Sequence, residues 1–350
     1  MENQQLEPTP KSPLRKIVLA LFLLILGIGG YIGWSFFYKP NVPATLANKY
    51  LLIPTGATLD QVVDSLKTGN FIRNENAFRM MAERLSYKAR GGRFEITPGM
   101  SSYHLVKHLR SGKQAPVRVV LVNERLAEDI AAKVARSIEP DSLALVTLLN
   151  DTTFLDSIGF TPATMLSLFI PNTYEFFWNT SARKFVERIK KENDRFWEAE
   201  GRDEKARALG LSREEVYTVA SIVERETNYE PEKERMAGVY LNRVEQGWPL
   251  QADPTLVFAS RDWEARDLAK YKSLDSPYNT YKYPGLPPGP ISMASIPSLD
   301  AVLNREKHDY MFFVAMGDGS GKHMFAVTYD AHKVNIEVYK RNLIGRGLGL

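Results

Sequence analysis

Cysteine is absent from all 350 residues. Its absence excludes disulfides, cysteine-ligated zinc, iron–sulfur clusters and thiol catalysis. An excess of one charge sign is missing too, since 45 basic residues face 41 acidic ones. Glu2, Glu7, Lys11, Arg15 and Lys16 precede the first apolar run and together carry +1, which leaves +3 for the rest. So small a balance gives no nucleic-acid footprint and no strongly basic membrane surface. There is no G-x-S-x-G nucleophile elbow and no H-E-x-x-H zinc motif. His104 and His108 stand four apart on one helix face without an evident third ligand, and His308, His323 and His332 are dispersed. No metal or cofactor is expected. What remains is ordinary globular composition, 44% hydrophobic and 25% charged, in a chain long enough for two or three domains.

One long apolar run is present. Residues 17–37 form 21 consecutive uncharged positions. As a helix rising ~1.5 Å per residue they span ~30 Å, the thickness of a bilayer core. Trp34, Phe36 and Phe37 lie at the distal end, where aromatics favour the interface, and Lys11, Arg15 and Lys16 flank the near end. The positive-inside rule leaves the N-terminus in the cytoplasm and everything after Tyr38 outside. A cleaved signal peptide is the competing reading, with Val42-Pro43-Ala44 as its cleavage site. The run exceeds the usual h-region of about 7–15 residues, so an uncleaved anchor is expected.

Beyond residues 39–47, read as a short linker, the chain repeats itself at an offset of 43. Gly56 matches Gly99, Thr58 matches Ser101, Val62-Val63 match Leu105-Val106, Leu66 matches Leu109 and Gly69 matches Gly112. Each copy reads as a short strand, a glycine turn, a Ser/Thr cap, an amphipathic helix and a glycine stop. A degraded third copy begins at Val119, with Asn123 at the glycine position, and Glu75–Leu85 between the first two reads as helix. The unit is similar to the LysM module of cell-wall proteins, which implies glycan binding; a plain spacer is the alternative. Residues 126–211 read as mostly helical, with Phe185, Ile189, Phe196 and Trp197 on one helix face. The aromatic-rich stretch Ser167–Phe177 reads as a loop leading into a short strand.

The densest chemistry lies at residues 211–255. Ser212 and Glu215 form a capping box. On a wheel at about 100° per residue from Val216, the apolar arc runs from about 240° to about 40°. Glu226 falls at about 280°, inside that arc, while Glu224 falls at its margin near about 80°. A carboxyl turned toward an apolar face loses solvation, and its pKa rises toward the range of a general acid. At a helix end the same residue can instead reach solvent or an ion pair. Asn228-Tyr229 breaks the helix, and Glu230-Pro231 opens a second one whose stripe is Met236, Val239, Tyr240 and Val244, with Asn242 beside it. The following loop offers Gln251, Asp253 and Thr255, groups suited to sugar hydroxyls, or else a simple Asx turn.

Ser276–Ser292 holds five prolines, two glycines and three tyrosines in 17 residues. Globular sequence on both sides argues for a stiff ordered loop whose Tyr278, Asn279 and Tyr281 suit sugar stacking and hydrogen bonding. Tyr310–Met316 and His323–Thr328 read as two strands joined by a glycine turn at 317–322, which is too short for a Walker A.

The blocks Ala220-Ser-Ile-Val-Glu-Arg-Glu-Thr227, Val239-Tyr-Leu-Asn-Arg243, Leu250-Gln-Ala-Asp-Pro-Thr255, Tyr278-Asn-Thr-Tyr281 and Gly285-Leu-Pro-Pro-Gly-Pro-Ile291 together resemble the endolytic murein transglycosylase (YceG-like) family. The order of the blocks, the N-terminal anchor and the final His323-Met-Phe-Ala block match as well, so the resemblance spans residues 17–345. It implies a single-pass protein of the bacterial inner membrane that cuts nascent peptidoglycan strands internally, with its catalytic domain outside. It implies Glu226 as catalytic acid, without cofactor. Substrate contacts would come from Glu224, Asn242, Gln251, Asp253, Thr255, Tyr278, Asn279, Tyr281, His323 and Phe325. Partners would be peptidoglycan glycan strands, the membrane, and penicillin-binding or other cell-wall synthesis proteins; nucleic acid is excluded. Asn172 stands where the family pattern usually has Asp, so no role is assigned to it. A single carboxyl suffices if the MurNAc C6 hydroxyl closes on C1 to give a 1,6-anhydro end. A hydrolytic muramidase, which needs a second carboxylate, and an idle wall-binding scaffold are the alternatives. The expected fold is α+β: a tail at 1–16, a transmembrane helix at 17–38, a linker at 39–47, a LysM-like strand–helix module at 48–120 and a larger mixed α+β catalytic domain at 121–350.

Overall fold

A computed structural model describes residues 13–265 and 267–348. The chain divides into two compact units: one runs to Pro116 and takes in Phe177–Asn179, and the other comprises Val117–Phe176 and the chain from Thr180. The fold is mixed α and β, with three separate two-stranded antiparallel sheets among the described residues.

The first unit begins with helix α1 (Pro13–Phe37). Within it, Leu14–Ser35 is long and apolar enough to cross a membrane. Ile17, Leu21, Leu24 and Ile28 are all exposed, as a helix apolar on every face requires when its solvent is lipid. Then follow β1 (Tyr50–Ile53), α2 (Leu59–Thr68), α3 (Glu75–Arg84), β2 (Gly92–Glu95) and α4 (Ser102–Ser111). β1 pairs with β2 from Tyr50↔Glu95 to Ile53↔Gly92. Both repeat copies are therefore strand, turn and helix. Gly56 and Gly99 take φ of +76° and +77°, open to glycine at no steric cost. Thr58 and Ser101 then cap α2 and α4 by accepting from the N–H groups of Gln61 and His104. The two stop glycines differ. Gly112 is left-handed at φ +69°, whereas Gly69 sits at φ −81° and lacks a Cβ because the Phe71 ring stands 2.4 Å from where one would be. The repeated apolar positions, Val62, Val63 and Leu66 with Leu105, Val106 and Leu109, meet Leu51, Ile53 and Phe94 in one core. Part of the segment read as a linker joins that core. Val42 is fully buried, and the buried Asn41 accepts from the N–H groups of Arg73 and Asn74 and donates to Ser102 Oγ at 2.9 Å.

The second unit opens with β3 (Val117–Leu121), so the boundary expected after residue 120 falls inside a strand. The degraded third copy keeps its strand and its helix, α5 (Ala127–Ala135), but Asn123 has no positive φ. Helices α6 (Ser142–Leu149) and α7 (Thr152–Ser157) follow, and β3 then pairs with β4 (Asn172–Phe176), from Val117↔Phe176 to Leu121↔Asn172. Next come α8 (Ala182–Glu198) and α9 (Arg202–Ala208). Phe185 and Ile189 of α8 are buried against Leu145, Leu149 and Phe169, each such side chain contributing about 1.5–3 kcal/mol. Trp197 joins a second core with α10 (Arg213–Glu226), α11 (Lys233–Glu245) and α13 (Ile296–Leu303), which is preceded by the short α12 (Asp253–Ser260). The hairpin read from sequence is present as β5 (Phe312–Ala315) and β6 (His323–Ala326), followed by α14 (Tyr329–Gly345).

The proline-rich segment carries no helix or strand between residues 276 and 292, yet Asn279, Thr280, Ile291 and Ser292 are buried. Gly289 shows why its sequence is constrained. A Cβ there would lie 2.0 Å from the carbonyl oxygen of Ala163. Gly289→Ala is expected to destabilise the fold by about 1–3 kcal/mol, as overpacking does, read as a lower denaturant midpoint at unchanged slope.

Candidate active site

Helix α10 begins as its sequence demands. Ser212 accepts from the N–H of Glu215, whose carboxylate accepts in return from the N–H of Ser212 at 2.8 Å. Every residue from Val216 to Val223 is buried, so the helix runs through the core rather than along the surface. Its polar groups hold the proline-rich segment in place. Ser221 Oγ accepts from the N–H of Ile291 at 3.0 Å, and Tyr217 Oη accepts from the N–H of Ala294 at 3.1 Å while donating to the Phe169 carbonyl at 2.6 Å. Glu226 is the last residue of the helix, and the chain then leaves in extended conformation at Thr227.

Glu226 lines a cavity of about 310 Å³, walled also by Arg125, Arg225, Asp253, Pro254, Val257, Phe258, Trp263, Leu268 and Ile291. Glu226 as a whole residue is partly exposed, through this cavity that it lines. Tyr240, from the next helix, α11, donates its hydroxyl to Glu226 Oε1 at 2.6 Å. Burial pushes the Glu226 pKa up from an ordinary 4.5 to about 7; the Tyr240 hydrogen bond opposes the rise, the Asp253 charge adds to it, and the Arg243 charge opposes it. Arg243 is itself buried, donating to the carbonyls of Met311 at 2.8 Å and Leu250 at 2.5 Å. Burial pushes the Tyr240 hydroxyl up as well, so it stays a donor. The result is a protonatable carboxyl with one oxygen fixed by a phenol and the other left for a bound molecule.

Asp253 is the other acid of the cavity. It opens α12, with Pro254 in the first turn, and accepts from the Tyr281 hydroxyl at 2.6 Å. The segment Asp253–Thr255, read from sequence as part of a loop with a simple Asx turn as the alternative, is the start of a helix. Just before it, Gln251 holds φ at +50°, a strained setting for a residue with a side chain. The Gln251 side chain is exposed, and its N–H donates to the Thr280 carbonyl at 3.0 Å.

The expected site residues separate into two groups. Glu226 and Asp253 face one cavity, and Tyr281 is bonded to Asp253. Tyr278 packs on Phe258 of the wall, ring centroids 4.7 Å apart. Most of the others are engaged inside the protein. Glu224 accepts from Ser295 and Ser298 at 2.5 Å each and from Lys233 at 3.1 Å; burial favours its neutral form, but these donors outweigh it and hold the pKa below the usual value. Asn242 donates to the carbonyls of His308 and Tyr310. Thr255 is fully buried and bonded to the Ala252 carbonyl and Thr280. Asn279, also fully buried, donates to the carbonyls of Lys272 and Leu274. His323 contacts Glu232 at 3.0 Å, and Phe325 packs against Tyr310 and Phe313. Phe313 in turn stands edge-on to the ring of Tyr240, so the C-terminal hairpin supports the acid from behind. Nothing in the sequence alone marks Tyr240, Arg125, Arg225 or Trp263 as site residues. Tyr240 lies on the apolar stripe of α11, and Arg125 reaches the site from about a hundred residues upstream. Among the described residues no group of three or more His, Asp or Glu is placed to hold a metal ion.

A family model described as the YceG-like family matches residues 51–338. The endolytic murein transglycosylase of Bacillus subtilis (strain 168) is 27% identical over 336 residues, covering 90% of this chain and 91% of that protein. The endolytic murein transglycosylase of Streptococcus pneumoniae serotype 2 (strain D39 / NCTC 7466) is 25% identical, covering 91% of this chain and 64% of that longer protein. A crystal structure of a yceG-like protein from Listeria monocytogenes superposes with a TM-score of 0.56 at 27% identity, covering 81% of this chain and 97% of the other.

Proposed function

The chain belongs to the YceG-like family, and from that premise we propose that it is an endolytic murein transglycosylase, a lyase that cuts peptidoglycan glycan strands internally. The observation that carries the reading is the Glu226 carboxyl, lifted to a pKa of about 7 in a cavity beside Tyr240. At neutral pH a large share of molecules then holds the proton that the glycosidic oxygen between MurNAc and GlcNAc must receive. Once it has given that proton, the Glu226 carboxylate takes one from the MurNAc C6 hydroxyl. That oxygen closes on C1, the C1–O bond to the leaving sugar breaks, and a 1,6-anhydro end forms with no water consumed. Tyr240 keeps the carboxyl oriented through both steps. Asp253, held by Tyr281, borders the developing positive charge at C1 and favours it electrostatically.

Leu14–Ser35 anchors the protein in the bacterial cell membrane, and the basic residues before it keep the N-terminus cytoplasmic, with the active site outside. The order β1–α2–α3–β2 within the first unit, strand–helix–helix–strand, supports reading that part as a LysM-like glycan-binding module.

Mass spectrometry of peptidoglycan treated with the detergent-solubilised full-length chain tests the reaction. New ends one water lighter than reducing ends are expected. Reducing ends would make the protein a muramidase with Asp253 as its second carboxylate, and intact strands would leave only a binding scaffold.

A further inference from the structure

Beside the catalytic cavity lies a second one, of about 490 Å³, whose charged wall consists of Arg125, Lys133, Arg136, Arg225, Glu124 and Asp129. Arg125 and Arg225 line both cavities, so the two are adjacent. Building on the function proposed above, we propose that this second cavity is a subsite for the acidic peptide stem of the strand, its arginines receiving the stem carboxylates.

The acids of the wall are already engaged. Glu124 is ion-paired with Lys133 and accepts from the N–H groups of Val122 and Asn123. Asp129 accepts from the N–H groups of Arg125 and Leu126 at the start of α5. The arginines are not neutralised. Among the described residues Arg125, Arg136 and Arg225 have no carboxylate partner within ion-pair distance. Arg225 donates to Ser292 Oγ at 3.0 Å and the Asn123 carbonyl at 2.9 Å, and Arg125 lies over the Trp263 ring at 4.7 Å. Burial and the neighbouring Arg125 charge both disfavour the cation of Arg225, a cost that a bound anion relieves. The chemistry of the substrate places an anion here. The stem leaves from the lactyl group on C3 of MurNAc, the sugar whose C1 bond is cut, so it must exit within about one ring of Glu226. Guanidinium groups match carboxylates in a paired geometry that lysine lacks.

The test compares glycan strands that carry stems with the same strands stripped by an amidase, using the full-length chain. Wild type is expected to have the higher kcat/KM on stem-bearing strands. Arg136→Glu, at an exposed position, is expected to lower the ratio of the two kcat/KM values by about fivefold or more, and Arg136→Gln by less. A second arm titrates muramoyl tetrapeptide onto the Glu226→Gln variant, which needs no turnover. Binding that weakens with Arg136→Glu and with added salt supports the subsite. A ratio unmoved by Arg136→Glu, or peptide binding indifferent to it, overturns the subsite while leaving the cleavage reaction standing. Failure of wild type to cut either strand overturns the reaction, and the titration still decides the subsite.

Discussion

Glu226→Gln is expected to cut the rate of glycan-strand cleavage by about 10²–10⁴-fold, the usual contribution of a general acid. Glutamine keeps the size of the side chain and an oxygen to accept from Tyr240, but it carries no transferable proton. The fold should survive, and linkage gives its sign. A carboxyl whose pKa rises on folding from 4.5 to about 7 contributes stability below 4.5 that is lost as pH rises toward 7. Glutamine escapes that loss, so the variant should gain on wild type through this window and hold the gain above it. Thermal unfolding at several pH values reads this directly. Glu224→Gln serves as contrast. Glu224 binds Ser295, Ser298 and Lys233, so its loss should lower stability and disturb activity through the fold.

The second large effect is the pH profile. Because the protonated form of Glu226 begins the reaction, kcat/KM is expected to fall tenfold for each pH unit above about 7. Tyr240→Phe removes the hydrogen bond that lowers this pKa, so the falling limb should move to higher pH while the maximal rate drops through poorer orientation. A limb near 4.5 in wild type would mean that Glu226 is solvated and that the cavity does not desolvate it.

Sequence patterns were legible where the physics is local. Glycines at turns, Ser/Thr caps and the helical wheel depend on neighbours a few residues away. They located both repeat helices, the capping box of α10 and the hairpin β5–β6, whereas the two-sided wheel drawn for α10 gives way to a helix buried on every side from Val216 to Val223. Side-chain partnership across the fold was not legible. Asn242, Thr255 and Asn279 carry amide and hydroxyl groups that suit sugar hydroxyls, and in the fold each bonds to a backbone carbonyl. Nothing in a polar residue type says whether it faces a substrate or an unpaired carbonyl. Tyr240 shows the reverse. Its ring fits an apolar stripe, while its hydroxyl, 14 positions from Glu226, meets the acid only once the two helices fold back on each other. The boundary before β3 was obscured for a similar reason, since that strand finds its partner β4 some 50 residues on.

Cleavage in water enriched in heavy oxygen tests the central claim most directly. If Glu226 alone serves as acid and then base, the C6 oxygen closes the ring and the newly formed MurNAc ends carry no heavy oxygen. One heavy oxygen at each new end would mean that water attacked C1, and the single-carboxyl account would be wrong.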